Sequence, residues 1–127
     1  LIKFLDWAKS KNISMAICTN KQERLAIDLL KKLNIYKYFE YVAGSDTFAF
    51  NKPDPRHLTD VVEIIGGDLN KTIMIGDSEV DEMSAHNAKL PFILVKDGYT
   101  EKSEKEIKHE ALISDFVNFE KVIEKYL

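Results

Sequence analysis

Three short stretches of this chain carry residue types and spacings suited to handling a phosphate-like anion. The hexapeptide Gly76-Asp77-Ser78-Glu79-Val80-Asp81 follows an apolar run from Thr72 to Ile75. A run of this kind, bounded by charge and turn residues, reads as a buried parallel strand. In open α/β sheets functional groups collect at the carboxyl ends of strands, where Asp77 falls. A carboxylate there could hold a hard cation such as Mg²⁺, which takes few carboxylates and keeps waters and substrate oxygens. Asp81, one helical turn on, could orient Lys52 or a metal-bound water. A plainer reading competes, because Ser78 and Asp81 also spell a helix capping box. Capping accounts for those two residues and leaves Gly76-Asp77 unexplained.

The second stretch is Thr19-Asn20-Lys21, at a junction from strand to helix. A hydroxyl with backbone N–H groups at a helix N-terminus forms an anion site. The structural alternative is N-capping by Asn20, with Glu23 completing a capping box. The third is Lys52 within Asn51-Lys52-Pro53-Asp54-Pro55, where prolines stiffen the backbone around one ammonium. A fixed positive charge suits a transferring phosphoryl group, although a surface lysine before a proline-started helix has the same sequence. His57, His86 and His109 lack metal-ligand spacing and read as surface or helix residues. Cys18 reads as a small hydrophobe, and no glycine-rich nucleotide loop supports ATP or NAD binding.

The elements that must position these residues alternate. Leu1, Leu5 and Ala8, with Ile2 and Phe4 beside them, predict a short helix ending near Asn12, against which Trp7 packs. Ile13–Cys18 predicts a strand. Leu25, Ala26, Leu29, Leu30 and Leu33 predict the buried stripe of the next helix, with Asp28, Lys31 and Lys32 toward water. Tyr41–Gly44 reads as a short strand. Pro53-Asp54-Pro55 opens a helix with Leu58, Val61, Val62 and Ile65 inward, closed by Gly66-Gly67. The Thr72–Ile75 strand and a helix from Glu79 to about Ala88 follow, then a strand over Phe92–Val95. Residues 101–110 read as a solvated helix or loop, Ala111–Ile113 as a last strand, and Asp115 as the cap of a final helix carrying Phe116, Phe119, Ile123 and Tyr126. This order implies an α/β fold with a parallel sheet and right-handed crossovers.

Composition excludes several classes. With 127 residues the chain has room for one domain. Hydrophobic residues at 45% and charged residues at 31% are ordinary for a globular protein. No apolar run is long enough for a membrane helix, and the charged start of the chain is no signal peptide. A net charge of −3 gives no general attraction to nucleic acid or anionic lipid. One cysteine rules out an internal disulfide framework, so a cytoplasmic, reducing setting is expected. The first residue is Leu1 rather than Met, an expectation of a piece of a longer chain.

Taken together, AICTNK at 16–21, GSDTFAFNKPDP at 44–55 and IGDSEVD at 75–81 resemble the second, third and fourth motifs of the haloacid dehalogenase-like hydrolases, in particular the phosphoglycolate phosphatase group. Order and spacing match along nearly the whole chain. The resemblance implies a three-layer Rossmann-like sheet and Mg²⁺-dependent hydrolysis of a small phosphorylated metabolite. It implies that Thr19 and the Asn20 amide hold the phosphoryl group and that Lys52 neutralises it. Asp77 becomes the metal ligand, and Asp81 supports it from behind. The GDSEVD form is that of the phosphatases, whereas a dehalogenase needs no metal.

The family's first motif, DxDxT or DxDxV, does not occur: no aspartate here has another two residues later. That motif carries the nucleophile for covalent phosphoryl transfer, and the helical cap domain is missing as well. The chain therefore reads as the carboxy-terminal portion of a phosphatase core, inactive alone. The family's missing strand lies between the Ile13–Cys18 and Thr72–Ile75 strands, whose facing edges would each keep a row of unpaired backbone groups. An amino-terminal segment, a second copy of the chain, or direct pairing of the two strands would satisfy them. Two other functions fit these residues: a non-catalytic scaffold on the same fold, and the core of a phosphosugar mutase. Lys96, Asp97 and Tyr99 could approach the site, with loop placement the plainer reading.

Overall fold

A computed structural model describes residues 2–95 and the backbone of 111–113. Predicted features at Lys96, Asp97, Tyr99, residues 101–110 and Asp115 onward lie outside the described residues. The elements are α1 (Ile2–Ser10), β1 (Ala16–Cys18), α2 (Glu23–Lys32), β2 (Tyr41–Ala43), α3 (Arg56–Ile64), β3 (Met74–Gly76), α4 (Glu79–Asn87), β4 (Phe92–Val95) and β5 (Ala111–Ile113), with 3₁₀ turns at Tyr36–Tyr38 and Leu69–Lys71. Among the described residues β1 pairs with β2, and β3, β4 and β5 form a second parallel ladder. β1 and β3 do not pair, so one of the three arrangements expected for their facing edges is not adopted here.

Alternation along the strands sets three layers. Leu5 of α1 and Ala26 and Leu30 of α2 pack with Val42 of β2, Met15 and Ile17 on one face. Leu58 of α3 and Ala85 of α4 pack with Phe92, Leu94, Met74 and Cys18 on the other. Ile93, between Phe92 and Leu94, points back to Phe4 of α1. Helix α1 thus places Leu5 against one ladder and Phe4 against the other. On the opposite face Leu58 and Ala85 share a cluster with residues of both β1 and β3. Among the described residues, helices therefore hold the two ladders together where no strand does.

The four α-helices among the described residues end in the same way. Asn12, Asn34, Gly66 and Lys89 adopt positive φ. The following N–H reaches five residues back in each case: Ile13 to Ala8, Ile35 to Leu30, Gly67 to Val62, Leu90 to Ala85. This satisfies helix-end carbonyls by a Schellman arrangement. Asn and Gly tolerate that backbone; Lys89 does so at a cost.

The structure corrects three readings of α2 and its surroundings. Only Ala26 and Leu30 of the expected stripe are buried, while Leu25, Leu29 and Leu33 are about half exposed (54%, 46% and 53%). Ala26 and Leu30 share a cluster with Val42, Met15 and Ile17, and Leu25, Leu29 and Leu33 are not part of it. Asn20 is not the N-cap of α2; Gln22 holds that position without a side-chain bond, and the Glu23 N–H is capped across space by Asp46 Oδ1 at 2.9 Å. Glu23 accordingly closes no capping box with Asn20. Its Oε2 instead accepts from Thr47 Oγ1 at 2.6 Å. Finally, His57 is a helix residue but fully buried.

Candidate active site

Parallel strands β1 and β3 end at the same rim, so the loops that follow them meet there. The rim opens into a cleft of about 380 Å³ lined by Cys18, Thr19, Lys52, Met74, Ile75, Gly76, Asp77, Asp81 and Val95. Thr19, Lys52, Asp77 and Asp81, spread over more than sixty positions of sequence, thus share one cleft.

Asp81 organises its floor. Ser78 caps α4 by accepting the Asp81 N–H at 3.3 Å, which is one half of the capping box. The other half does not form as the motif predicts, because the Asp81 carboxylate turns inward. Its Oδ1 receives the Lys52 ammonium at 2.5 Å and its Oδ2 accepts the Asp77 N–H at 3.2 Å. Both charged side chains are about nine-tenths buried, at 9% and 10% exposure. Capping therefore does not exhaust the role of Asp81. Gly76 is explained by the same contact: a Cβ there would lie 2.5 Å from Asp81 Cβ and Oδ2. Only a glycine lets the carboxylate fold over the strand end.

Lys52 reaches Asp81 because its backbone is held. The Asn20 side chain donates from Nδ2 to the Lys52 carbonyl at 3.0 Å and accepts the Lys52 N–H on Oδ1 at 3.1 Å. This two-bond clamp ties the loop after β1 to the loop before α3, a long-range partner that local sequence spacing does not announce. The Lys52–Pro53 peptide is cis. Asp54 accepts the Arg56 N–H and pairs with its guanidinium, which holds the carboxyl down to about 2. Thr19 is fixed through its N–H to Ala43 O at 2.9 Å, and its Oγ1 accepts the Lys21 N–H at 3.1 Å. The hydroxyl hydrogen of Thr19 is left to point elsewhere.

Electrostatics at the rim favour a cationic guest near Asp77. Desolvation, then the neighbouring Asp81 carboxylate, raise the Asp77 carboxyl above its ordinary range, although the residue stays open to solvent. Cys18 is different: burial pushes its thiol up to about 12, so it supplies no thiolate nucleophile. Among the described residues no group of three or more His, Cys, Asp or Glu side chains is placed to hold a metal ion. One exposed carboxylate with a second behind it suits Mg²⁺, which needs few protein oxygens. With Asp81 committed to Lys52, this chain would contribute to such a site rather than complete it.

Comparison with known proteins gives the chain's family. Residues 1–95 match the family described as haloacid dehalogenase-like hydrolase. The chain belongs to this family. It is 42% identical to the phosphoglycolate phosphatase of Agrobacterium fabrum, covering 98% of this chain and 56% of that protein. It is 44% identical to the phosphoglycolate phosphatase of Mesorhizobium japonicum over 80% of this chain and 45% of that protein. The chain thus spans about half the length of these relatives. Its fold superposes on the crystal structure of a predicted phosphoglycolate phosphatase from Haemophilus somnus with a TM-score of 0.89 at 22% identity, over 94% of this chain and 54% of that one. This α/β haloacid dehalogenase-like chain carries no helix, among its described residues, long and apolar enough to cross a membrane.

Sequence reasoning missed three supports of the cleft. Asp46 and Thr47 act on the start of α2 from more than twenty residues away, with no local pattern to reveal them. The Asn20 clamp resembled ordinary capping. His57 was passed over for lack of a metal motif, yet its position two residues after Pro55 on an apolar helix face marked it as buried.

Proposed function

We propose that this chain is the carboxy-terminal portion of a Mg²⁺-dependent phosphomonoester hydrolase core, acting on a small phosphorylated acid such as the phosphoglycolate for which its relatives are named. The observation that carries this reading is the Lys52–Asp81 pair on the floor of a cleft that Thr19 and Asp77 also line. In this reading Thr19 donates its hydroxyl hydrogen to a phosphoryl oxygen, and the Asn20 amide adds a second donor. Lys52, held rigid by Asp81 and by the Asn20 clamp, offsets charge as it develops on the transferring group. Asp77 holds Mg²⁺, and Asp81 orients what surrounds it. When bound, the ion supplies positive charge to the phosphoryl oxygens. The nucleophilic aspartate comes from outside these 127 residues, so the chain alone is inactive. A cytoplasmic setting accords with a single cysteine, which allows no internal disulfide.

The facing edges of β1 and β3 support the same reading. Each keeps one side without a ladder partner among the described residues. An amino-terminal segment of the intact protein fills this slot, or a second copy of the chain does so. Sedimentation of the isolated chain tests this: association or added-segment binding is expected, and a compact, cooperatively folding monomer opposes it.

Turnover of phosphate monoesters by the intact protein tests the activity. Lys52→Ala and Asp77→Ala should each remove nearly all of it, and retention of most activity in either variant refutes the assignment. A phosphosugar mutase is the second reading, favoured by a TM-score of 0.83 and 25% identity to a Thermotoga maritima structure described as a putative β-phosphoglucomutase. Release of inorganic phosphate rather than an isomerised sugar phosphate separates the two. A scaffold role would leave the buried Lys52–Asp81 pair without a purpose, and turnover by the intact protein excludes it.

A further inference from the structure

His57 is a polar side chain with no exposed surface and no part in the chemistry above. Its Nε2 lies 3.1 Å from the Gly44 carbonyl oxygen. A carbonyl only accepts, so Nε2 carries the hydrogen and Nδ1 keeps a lone pair. Nδ1 is buried and has no hydrogen-bond partner among the described residues. Leaving such an atom unpaired is costly, which argues that the Nε2 bond is what the residue is kept for.

The position of that bond matters. Ala43, one residue before Gly44, gives its carbonyl to the Thr19 N–H. Gly44 itself is pressed against the start of α2, where a Cβ would come within 2.6 Å of Glu23 Cα and Lys21 O. Its N–H is held by Thr47 Oγ1 at 2.7 Å. On the other side, the carbonyl of His57 receives the Cys18 thiol at 3.7 Å, one residue before Thr19. Phe48 meets the imidazole edge-on at 5.7 Å and stacks on Phe50, which Arg56 covers. His57 therefore touches the end of β1, the end of β2 and the loop that leads to Lys52.

We propose that His57 is a positioning residue. It locks the first turn of α3 to the ends of β1 and β2, and so sets the spacing between Thr19 and Lys52 on which the proposed phosphoryl site rests. The inference depends on the phosphatase reading for its kinetic consequence, but not for its structural one.

The test compares His57→Leu, which keeps bulk and loses the donor, with His57→Gln, whose amide nitrogen can replace Nε2. A third variant, His57→Asn, is too short to reach Gly44. In the intact protein, His57→Leu and His57→Asn should lower kcat for a phosphate monoester about tenfold or more with little change in KM, since small misplacements of charge act on the transition state. His57→Gln should recover most of it. Amide exchange at Thr19 should quicken in the Leu and Asn variants and return toward the parent rate in Gln. Should Leu fail to fold, the Gln–Asn contrast carries the decision. Unchanged kcat and Thr19 exchange in the Leu or Asn variant overturn the proposal, as does a Gln variant as impaired as Asn. If the parent protein hydrolyses no phosphate monoester, the activity assignment fails, while Thr19 exchange still decides the role of His57.

Discussion

Replacing Asp81 by Asn keeps the shape of the side chain and removes its charge, leaving the Lys52 ammonium at the cleft floor without its counter-ion. At the observed 2.5 Å, and with an effective dielectric of about 20, the Coulomb attraction is roughly 6–7 kcal/mol. Desolvation of two ions that keep only 9% and 10% exposure opposes it by several kcal/mol. Breaking one partner of a buried pair costs about 3–5 kcal/mol; the flexible lysine stem lets the ammonium move toward the cleft mouth, which brings the expectation to about 2–3 kcal/mol. The Asp77 N–H keeps an acceptor in the substituted side chain only if the carbonyl of the new amide is turned toward it. Urea unfolding of the intact protein should show a lower midpoint with an unchanged slope. A double-mutant cycle with Lys52→Met isolates the pair, and a coupling of about 2 kcal/mol is expected. A coupling below about 0.5 kcal/mol, the range of exposed pairs, would refute the view that this ion pair is an internal brace.

Gly76→Ala should destabilise by about 2 kcal/mol or more, because a Cβ 2.5 Å from the Asp81 carboxylate forces it off the strand end; thermal unfolding reads this, and a neutral result contradicts the packing described. Lys89→Gly should stabilise by about 0.5–1 kcal/mol by relieving a left-handed backbone at φ 59°, seen as a raised denaturation midpoint. For His57, burial is the main cause of a pKa below its ordinary 6.5. The unfolded chain then binds the proton first, so this contribution to stability is complete above about pH 6.5 and is lost as pH falls through the folded-state value. Urea midpoints from about pH 8 to about pH 5 should fall in the parent and fall less in His57→Gln.

Local pattern made much of this molecule legible. The apolar runs at Tyr41–Ala43 and Phe92–Val95 became strands because continuous burial needs continuous hydrophobes. Ser78 marked the start of α4 because capping is a contact between residues three apart. Asp77 and Lys52 could be singled out because strand ends and proline-flanked turns are local features as well. Tertiary structure decided what those residues do. The sequence of α2 shows five apolar positions at helical spacing, yet only contact with the ladder selects Ala26 and Leu30 for burial. Asn20 offers a cap or a clamp with equal chemistry, and the arrival of Lys52 thirty-two residues later chooses the clamp. Asp81 could complete a capping box, but its carboxylate turns to the Lys52 ammonium at 2.5 Å and to the Asp77 N–H at 3.2 Å. Short-range hydrogen bonds are written in neighbouring letters, whereas charge pairing and burial depend on which distant segments the fold brings to the same rim.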